Sequence, residues 1–94
     1  MPYTVTRLTV DDYPHWRRAF EENAEAREES GSRGGHVFWN DDDHADVVVF
    51  LAWDDLDDAR EYMDSEAIRE EVEEGDVQGE PETLYLEELG RLNA

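Results

Sequence analysis

The feature that most constrains this chain is a run of six apolar residues, Val47–Ala52, in the middle of the sequence. The run is too short to cross a membrane and too rich in β-branched residues for a typical helix, so it predicts a buried central strand. Trp53 closes the strand, and Asp54 or Asp55 is placed to cap a helix that begins at Leu56. A strand buried on both faces needs a layer of protein on each side.

The length of the chain limits how much of that covering it can provide. At 94 residues we expect a single domain spanning residues 1–94, and a domain of this size buries only about 60–65% of the surface that its unfolded chain exposes. Helices can supply one layer, and a second copy of the chain is the natural source of the other. Cysteine is absent, so disulfides and thiolate metal sites are excluded.

Acidic residues dominate the charge. Asp and Glu number 27 against 8 Arg, Lys is absent, and the net charge is −19 at pH 7. Such a surface repels phosphate backbones, so we expect no nucleic acid partner. Aromatic residues in periodic segments favour a packed core over a disordered acidic chain. The composition instead indicates adaptation to high salt, as in haloarchaeal cytoplasmic proteins, because the Debye length of about 3 Å at molar salt screens the repulsion.

The segment before the central strand predicts one strand and one helix. The alternation in Tyr3–Val10 is typical of a strand with two usable faces. Asp11 and Asp12 offer an N-cap for an amphipathic helix from Tyr13 to about Glu29 that rests on the sheet. The stripe that faces the sheet carries Trp16, Ala19, Phe20, Asn23, Ala24 and Arg27.

Turn residues, Ser30–Gly35, are expected to end the first helix, and His36–Trp39 to form a short second strand. The polar segment Asn40–Ala45 is short enough for a hairpin that leads into the central strand. The second helix starts near Leu56, and Asp64–Glu66 offers a second cap at which the helix is expected to kink or break.

The C-terminal part completes the pattern. Gly75 is expected to end the second helix, Asp76–Pro81 to form a loop, Thr83–Leu89 to form the last strand, and Gly90–Ala94 to be a loose tail. The order is β-α-β-β-α-β, which predicts an α+β fold with a ferredoxin-like antiparallel sheet and two helices on one face. The other face still carries large apolar residues, and packing two sheets face to face in a homodimer would bury them.

Several segments together resemble a known family. They are Asp11–Tyr13 after the Arg-bearing first strand, Trp16–Phe20, Gly34–Phe38, the Val-rich strand into Trp53–Leu56, and Ala59–Met63 with Ser65 shortly after. The pattern resembles the dimeric α/β-barrel superfamily, in particular its antibiotic biosynthesis monooxygenase-like and cyclase-like members. The resemblance covers nearly the whole chain, but the superfamily hosts several chemistries.

The resemblance implies a homodimer whose two sheets close a barrel, with a small pocket between sheet and helices in each subunit. Cofactor-independent oxygenases of this family oxidise electron-rich aromatic substrates with O₂, so no cofactor is expected. Haem-degrading members carry Asn on the first strand and Trp and His on the second helix. This chain has Thr6, Tyr62 and Val72 instead, and without the axial His no iron ligand is evident.

Two residues are candidates for catalysis. His36 opens the second strand beside Gly34 and Gly35, where a backbone can approach a ligand closely, and its ring could act as acid, base or donor near neutral pH. The alternative is a strand-end histidine that is bonded to backbone or water. Tyr62 matches the aromatic residue of the family's second helix and could present its hydroxyl to a ligand, or it could pack in the core.

Four further residues are candidates for substrate binding: Trp39, Trp53, Arg7 and Phe50. Trp39 and Trp53 lie at strand ends and could frame either the mouth of the pocket or the dimer seam. Arg7 is costly to bury alone, so it either pairs with a carboxylate at the dimer seam or binds an anionic substrate.

The acidic hairpin and the other histidines are interpreted as surface features. His44, within Asp41–Asp46, suggests a cation site, but the calcium-loop spacing with its Gly and terminal Glu is absent, so no metal is expected. His15, in the first turn of the first helix, is expected at the surface. A phosphate loop, a nucleophile elbow and a His-Glu-x-x-His motif are also absent.

Three functions stay open. The first is a cofactor-independent monooxygenase or related cyclase that acts on a small aromatic or polyketide-like molecule. The second is a non-catalytic homodimeric module that binds a small ligand, and the third is an interaction protein with a fully packed interior. No stretch approaches about 18 apolar residues, and the N-terminus lacks the regions of a signal peptide, so we expect a cytoplasmic location.

Overall fold

The computed structural model describes residues 1–94 as one antiparallel sheet and four short helices. The strands are β1 (Tyr3–Val10), β2 (Ser32–Asn40), β3 (Asp43–Trp53) and β4 (Val77–Leu86). The helices are α1 (Tyr13–Glu22), α2 (Ala24–Glu29), α3 (Leu56–Met63) and α4 (Glu66–Glu74). The sheet order is β2-β3-β1-β4 with every pairing antiparallel. This arrangement confirms the predicted α+β, ferredoxin-like fold, in which each of the two helical segments consists of two pieces.

The central strand is β3, as predicted. Its side chains alternate between the two faces of the sheet, and Val47, Val49, Leu51 and Trp53 form the row that is buried beneath the helices. Trp16 and Phe20 of α1, and Ala59 and Tyr62 of α3, pack against that row. The apolar stripes of both helical segments therefore meet the sheet on one face, and the core lies between them.

The first helical segment is divided at Asn23, where a single helix was predicted. The Phe20 carbonyl accepts a backbone hydrogen bond from the Asn23 N–H at 3.2 Å, which tightens the last turn of α1. A guanidinium nitrogen of Arg27 donates to the same carbonyl at 2.7 Å, so the polar group at the break is fully bonded. The predicted break in the second segment is confirmed, since α3 ends at Met63 and α4 begins at Glu66.

Both edge strands begin earlier than predicted. The pairing register with β3 shifts between Ser32 and Gly35, so β2 includes residues that were assigned to a turn. Val77 and Gln78 pair with the end of β1, so β4 includes most of the predicted loop. A second register shift in β4 accommodates Gly79, whose φ is 68°. Bulges let both strands continue through residues that usually interrupt a ladder.

The face of the sheet away from the helices is apolar and open. Tyr3 stacks on Phe50 with ring centroids 4.8 Å apart. Phe38 and Leu84 on the two edge strands are 55% and 53% exposed in the single chain. The sequence-based expectation of large apolar residues on this face is met. No helix of the chain combines the length and apolar character that a membrane crossing would need.

Candidate functional site

A partly open cavity of about 50 Å³ lies between the sheet and the helices. Ten of its 14 lining residues are hydrophobic, because the cavity lies where the apolar stripes of the helices meet the buried row of the sheet. The apolar wall is formed by Leu8, Trp16, Phe20, Val49, Leu51, Tyr62, Met63, Ile68, Val72 and Val77. The interior is therefore incompletely packed, unlike the interior expected for an interaction protein with a vestigial pocket.

A charged pair interrupts this apolar wall. The side chains of Arg27 on α2 and Glu71 on α4 are each 8% exposed, and Arg27 Nη1 lies 3.4 Å from Glu71 Oε1. Asn23 Nδ2 donates to the same carboxylate oxygen at 3.1 Å. The guanidinium carbon of Arg27 also lies over the Phe20 ring, 3.7 Å from its centroid. Two buried charges on separate helices are thus held by each other, an amide and an aromatic face.

The Tyr62 hydroxyl is buried and has no hydrogen-bond partner. Such a group costs about 1–3 kcal/mol when it is left unbonded in a protein interior. Burial raises the pKa of this phenol above 10.0, and the nearby Glu71 carboxylate raises it further, while Arg27 acts in the opposite direction. The hydroxyl therefore remains protonated at neutral pH and is free to donate to a molecule in the cavity.

The Glu71 carboxyl group is buried, and its surroundings shift its pKa. Burial raises its pKa above 4.5, while the hydrogen bond from Asn23 and the charge of Arg27 act in the opposite direction. A carboxylate with a raised pKa is a better proton acceptor than one with an ordinary pKa. A proton acceptor and a proton donor, Glu71 and Tyr62, therefore line one apolar cavity.

An open groove of about 500 Å³ runs along the outside of α1 and α2 beside the β2 edge. Its wall includes Arg17, Glu21, Glu28, Arg33 and His36, so it is more polar than the cavity. Gly34 and Gly35 form its floor at the β2 bulge. A Cβ atom on Gly35 would lie 1.7 Å from the Phe50 carbonyl oxygen, so only glycine fits there.

Tyr62 and Trp53 are the two predicted site residues that the structure brings together. Their rings lie 5.7 Å apart in the core. Tyr62 lines the cavity, whereas Trp53 is completely buried and its Nε1 donates to Thr4 Oγ1 at 2.9 Å. Trp39 lies at the edge of the sheet, stacked on the imidazole of His44 at 4.1 Å between centroids.

The other three predicted residues lie on the opposite face of the sheet. His36 is paired with Phe50 across β2 and β3, and Phe50 stacks on Tyr3. Arg7 forms two hydrogen bonds, 2.9 and 2.8 Å long, with the carboxylate of Asp46 in the same chain. Within one chain the sheet therefore separates His36, Phe50 and Arg7 from Tyr62.

Hydrogen bonds from Arg7 and Asn40 lower the pKa of Asp46 to about 2. Arg7 was expected to pair with a carboxylate at the dimer seam or to bind an anionic substrate. Its partner is instead Asp46 on the neighbouring strand of its own chain. In the acidic hairpin, no group of three or more His, Asp or Glu side chains is placed to hold a metal ion, and the same is true elsewhere.

Three residues of the site were not selected from the sequence: Asn23, Arg27 and Glu71. Asn23 and Arg27 lie on the predicted apolar stripe of the first helix, where a polar residue is an anomaly that signals a buried partner. Glu71 lies four residues after Ala67 and therefore on the buried face of the second helix. In so acidic a chain nothing in the sequence distinguishes Glu71 from the surrounding surface glutamates.

No family model and no curated protein sequence matches the chain. Solved structures do. SnoaB, a cofactor-independent oxygenase from Streptomyces nogalater, has a TM-score of 0.78 at 15% identity, over 99% of this chain and 97% of that one. A protein from Deinococcus radiodurans assigned as an antibiotic biosynthesis monooxygenase has a TM-score of 0.74 at 16% identity, over 100% and 98%. At these identities the likeness establishes the shared fold alone, and it confirms the predicted resemblance at that level.

Proposed function

We propose that this protein is a cofactor-independent monooxygenase that acts on a small aromatic or polyketide-like molecule. The observation that carries the proposal is the apolar cavity, in which an unpartnered Tyr62 hydroxyl and a Glu71 carboxyl group with a raised pKa meet. The fold shared with SnoaB, which is named as a cofactor-independent oxygenase, supports the same assignment.

In this proposal the substrate itself supplies the electrons. Glu71 accepts a proton from an acidic position of an electron-rich aromatic ring, and the resulting anion reduces O₂. One oxygen atom enters the substrate at the ring carbon that is a CH₂ group in the keto tautomer of the phenol, and this carbon becomes a carbonyl. The other oxygen atom leaves as water with the two hydrogens of that carbon. The Tyr62 hydroxyl donates a hydrogen bond to the reduced oxygen, where negative charge develops. The apolar wall keeps bulk water away from the anion.

The proposed enzyme works as a homodimer whose open sheet faces pack together. The apolar residues Phe38, Phe50, Leu84 and Leu86 on that face support the assembly, since a monomer would leave them exposed to solvent. His36 also lies on this face, at the rim of the groove. If it has the proposed catalytic role, it acts from the groove and not from the cavity. Phe38→Asp should give a monomer in sedimentation at high salt, whereas Leu92→Asp in the exposed tail should leave a dimer.

Oxygen uptake with a panel of hydroxylated naphthalenes and anthracenes tests the activity. Tyr62→Phe and Glu71→Gln should each lower turnover at least about tenfold, which corresponds to about 1.4 kcal/mol of transition-state stabilisation. His36→Ala tests the groove side and is expected to have an effect of similar size. Tyr85→Phe is the matched control, because Tyr85 packs against Arg60 and lines neither the cavity nor the groove.

Unchanged rates in Tyr62→Phe, Glu71→Gln and His36→Ala would refute this site assignment. Measurable binding of the aromatic panel without any oxygen uptake would instead identify a non-catalytic ligand-binding module. A reaction without protein is the necessary blank, since electron-rich phenols also react with O₂ by themselves.

A further inference from the structure

The sheet has two edge strands, β2 and β4, and only β4 is protected against pairing with another strand. Edge strands are usually blocked by charged residues, proline or bulges, because their outward N–H and C=O groups can bond a further strand. β4 carries Glu80, Pro81 and Glu82 around its register shift. β2 has no charged residue and no proline between Gly34 and Asn40. β2 is therefore the edge to which another strand can be added.

β2 also projects beyond the cover of the helices. Every residue of β2 after Ser32 is exposed except Val37, which is half-buried. Trp39 and Phe38 are 49% and 55% exposed, and with Tyr13 and Val37 they line an open apolar pocket of about 350 Å³ at this edge. An apolar surface beside outward-facing backbone groups favours contact with another protein strand over contact with water.

The regular part of β2 is symmetric about Val37. The pairing of β2 with β3 is regular from Gly35 to Trp39 and is interrupted by register shifts on both sides. A second copy of β2 that pairs antiparallel along this whole stretch places Val37 opposite Val37 and Trp39 opposite Gly35. Residues directly opposite each other in such a pair point to the same face, so two four-stranded sheets join into one of eight strands.

The side chains along this pairing fit one another. Trp39 lies on the helix side of the sheet, with its ring centroid 5.4 Å from that of Tyr13. In the pair it lies opposite Gly35 of the second copy, which has no side chain, and its ring can cover the exposed backbone there. On the other face, Phe38 lies opposite His36 of the second copy. Aromatic pairs of this kind stabilise neighbouring strands.

Charge favours a second copy of this chain at the β2 edge over most other ways for two copies to meet. Two chains with a net charge of −19 each repel one another, and like charges that lie opposite each other across a ladder are destabilising. Residues Gly34–Asn40 contain no carboxylate. The charged residues at the two ends of this stretch, Arg33 and Asp41, have opposite signs and face each other in the same register. Two copies can therefore pair here without placing two carboxylates opposite each other.

We propose that two copies of this protein pair antiparallel along β2, from Gly35 to Trp39, with Val37 at the two-fold axis. This contact is separate from the proposed homodimer, which uses the open face of the sheet. Together the two contacts form a tetramer in which two eight-stranded sheets pack face to face. So short an edge is a small interface, so this pairing is weaker than the face contact and forms as the protein concentration rises.

A disulfide measures the register of this pairing. The chain has no cysteine, so Val37→Cys introduces one thiol per copy. Opposite residues of an antiparallel pair have Cα atoms about 4.5–5.5 Å apart, a distance that a disulfide bridges. Oxidation with copper phenanthroline at molar KCl should therefore give a covalent dimer on a non-reducing gel. Asn40→Cys is the matched control, because its exposed thiols on the same strand lie about 20 Å apart in this register and should not cross-link.

Sedimentation at molar KCl separates the two contacts. Leu84→Asp, on the open face of β4, removes the face contact and should change from monomer to dimer as the concentration is raised to about 1 mM. Trp39→Asp, on the helix side of β2, should stay a dimer over the same range, and the double variant should stay a monomer. Leu92→Asp in the exposed tail is the control and should associate as the wild type does.

The inference is overturned if Val37→Cys gives no covalent dimer or if Asn40→Cys cross-links equally well. Association of Trp39→Asp that equals that of the wild type, or a Leu84→Asp variant that stays monomeric up to about 1 mM, would also overturn it. If circular dichroism shows that reduced Val37→Cys is unfolded, the sedimentation comparison decides alone. A wild type that changes only from monomer to dimer, and a Trp39→Asp variant that stays monomeric, would support the edge pairing and refute the face homodimer.

Discussion

The buried polar residues Arg27, Glu71 and Tyr62 do not improve the stability of the core. A buried charged pair loses the free energy of hydration of both groups, and the attraction between them offsets only part of that loss. A buried hydroxyl without a hydrogen bond adds a further cost. The Arg27–Glu71 pair, 3.4 Å apart, lacks the short hydrogen bond of a strong charge-assisted pair. Polar groups that destabilise an interior and face a cavity are typical of functional sites. A ligand can supply the hydrogen bonds that these groups lack in the folded protein.

The raised pKa of Glu71 predicts a pH dependence of stability. Because the folded state holds this proton more tightly than the unfolded chain, its contribution is full below about pH 4.5 and is lost as pH rises through the raised pKa. The Glu71→Gln variant has no titrating group at this position, so it does not lose this stability as pH rises. Its free energy of unfolding should therefore increase relative to that of the wild type between pH 4.5 and 8. Urea unfolding at several pH values measures this, with exposed Glu70→Gln as the control. Parallel stability curves for all three proteins would contradict the prediction.

Gly35 is the residue with the least tolerance for a side chain. Its missing Cβ leaves the space that the Phe50 carbonyl oxygen occupies, 1.7 Å from the position a Cβ would take. Gly35→Ala should therefore destabilise the protein by about 3 kcal/mol or more, because β2 must shift away from β3. Gly90→Ala, with open space around it, should change stability by less than about 0.5 kcal/mol. Thermal unfolding compares the two, and a near-wild-type Gly35→Ala would show that the bulge relaxes freely.

At the scale of the elements, short helices depend on how their ends are bonded. None of the four helices exceeds 10 residues, and isolated helices of that length are marginal in water. Packing on the sheet supplies most of their stability, and side-chain caps at Asp12 and Asp55 bond backbone N–H groups in the first turns of α1 and α3. The caps fix where each helix begins and so the angle at which it reaches the sheet.

Loss of the α1 cap should be measurable. The Asp12 carboxylate accepts from the His15 backbone N–H at 3.1 Å, and removing such a cap costs about 1 kcal/mol. Asp12→Ala should lower the free energy of unfolding by that amount. Asp11→Ala removes a charge that is also exposed, next to the cap, and should have little effect. Equal losses in the two variants would mean that charge, and not capping, determines the result.

At the scale of the whole molecule, stability and assembly depend on the solvent. A net charge of −19 on 94 residues repels itself in dilute buffer, and the repulsion is screened at molar salt. The open apolar sheet face adds to this effect, because burial of apolar surface strengthens in concentrated salting-out salts. Salt should therefore favour both the folded chain and the proposed homodimer.

Removal of KCl tests this balance. Circular dichroism should show loss of structure between molar and millimolar KCl, and sedimentation should show dissociation over the same range. Return to molar KCl should restore both signals, which separates reversible unfolding from aggregation. Structure and assembly that stay unchanged in millimolar KCl would contradict adaptation to high salt.

Much of the fold could be predicted because it follows from local patterns. The β-branched run of β3, the apolar stripes of the helices and the break at Ser65 are visible in the sequence and are all found in the structure. The starts of β2 and β4 were misplaced, since Gly34 and Gly79 usually mark turns and here occupy bulges. Bulges depend on a neighbouring strand that local sequence does not identify.

By itself, the sequence determined the order of the elements, the central strand and the uncovered apolar face, because hydrophobic periodicity decides which side of each element must be buried. Only the tertiary structure decided which residues share a site. It placed His36 and Tyr62 on opposite faces of the sheet. It also brought together Arg27 and Glu71, which lie on different helices and are 44 positions apart in the chain. Side chains meet through the packing of helices and strands, and the distance between two side chains in the folded protein does not follow from their spacing along the chain.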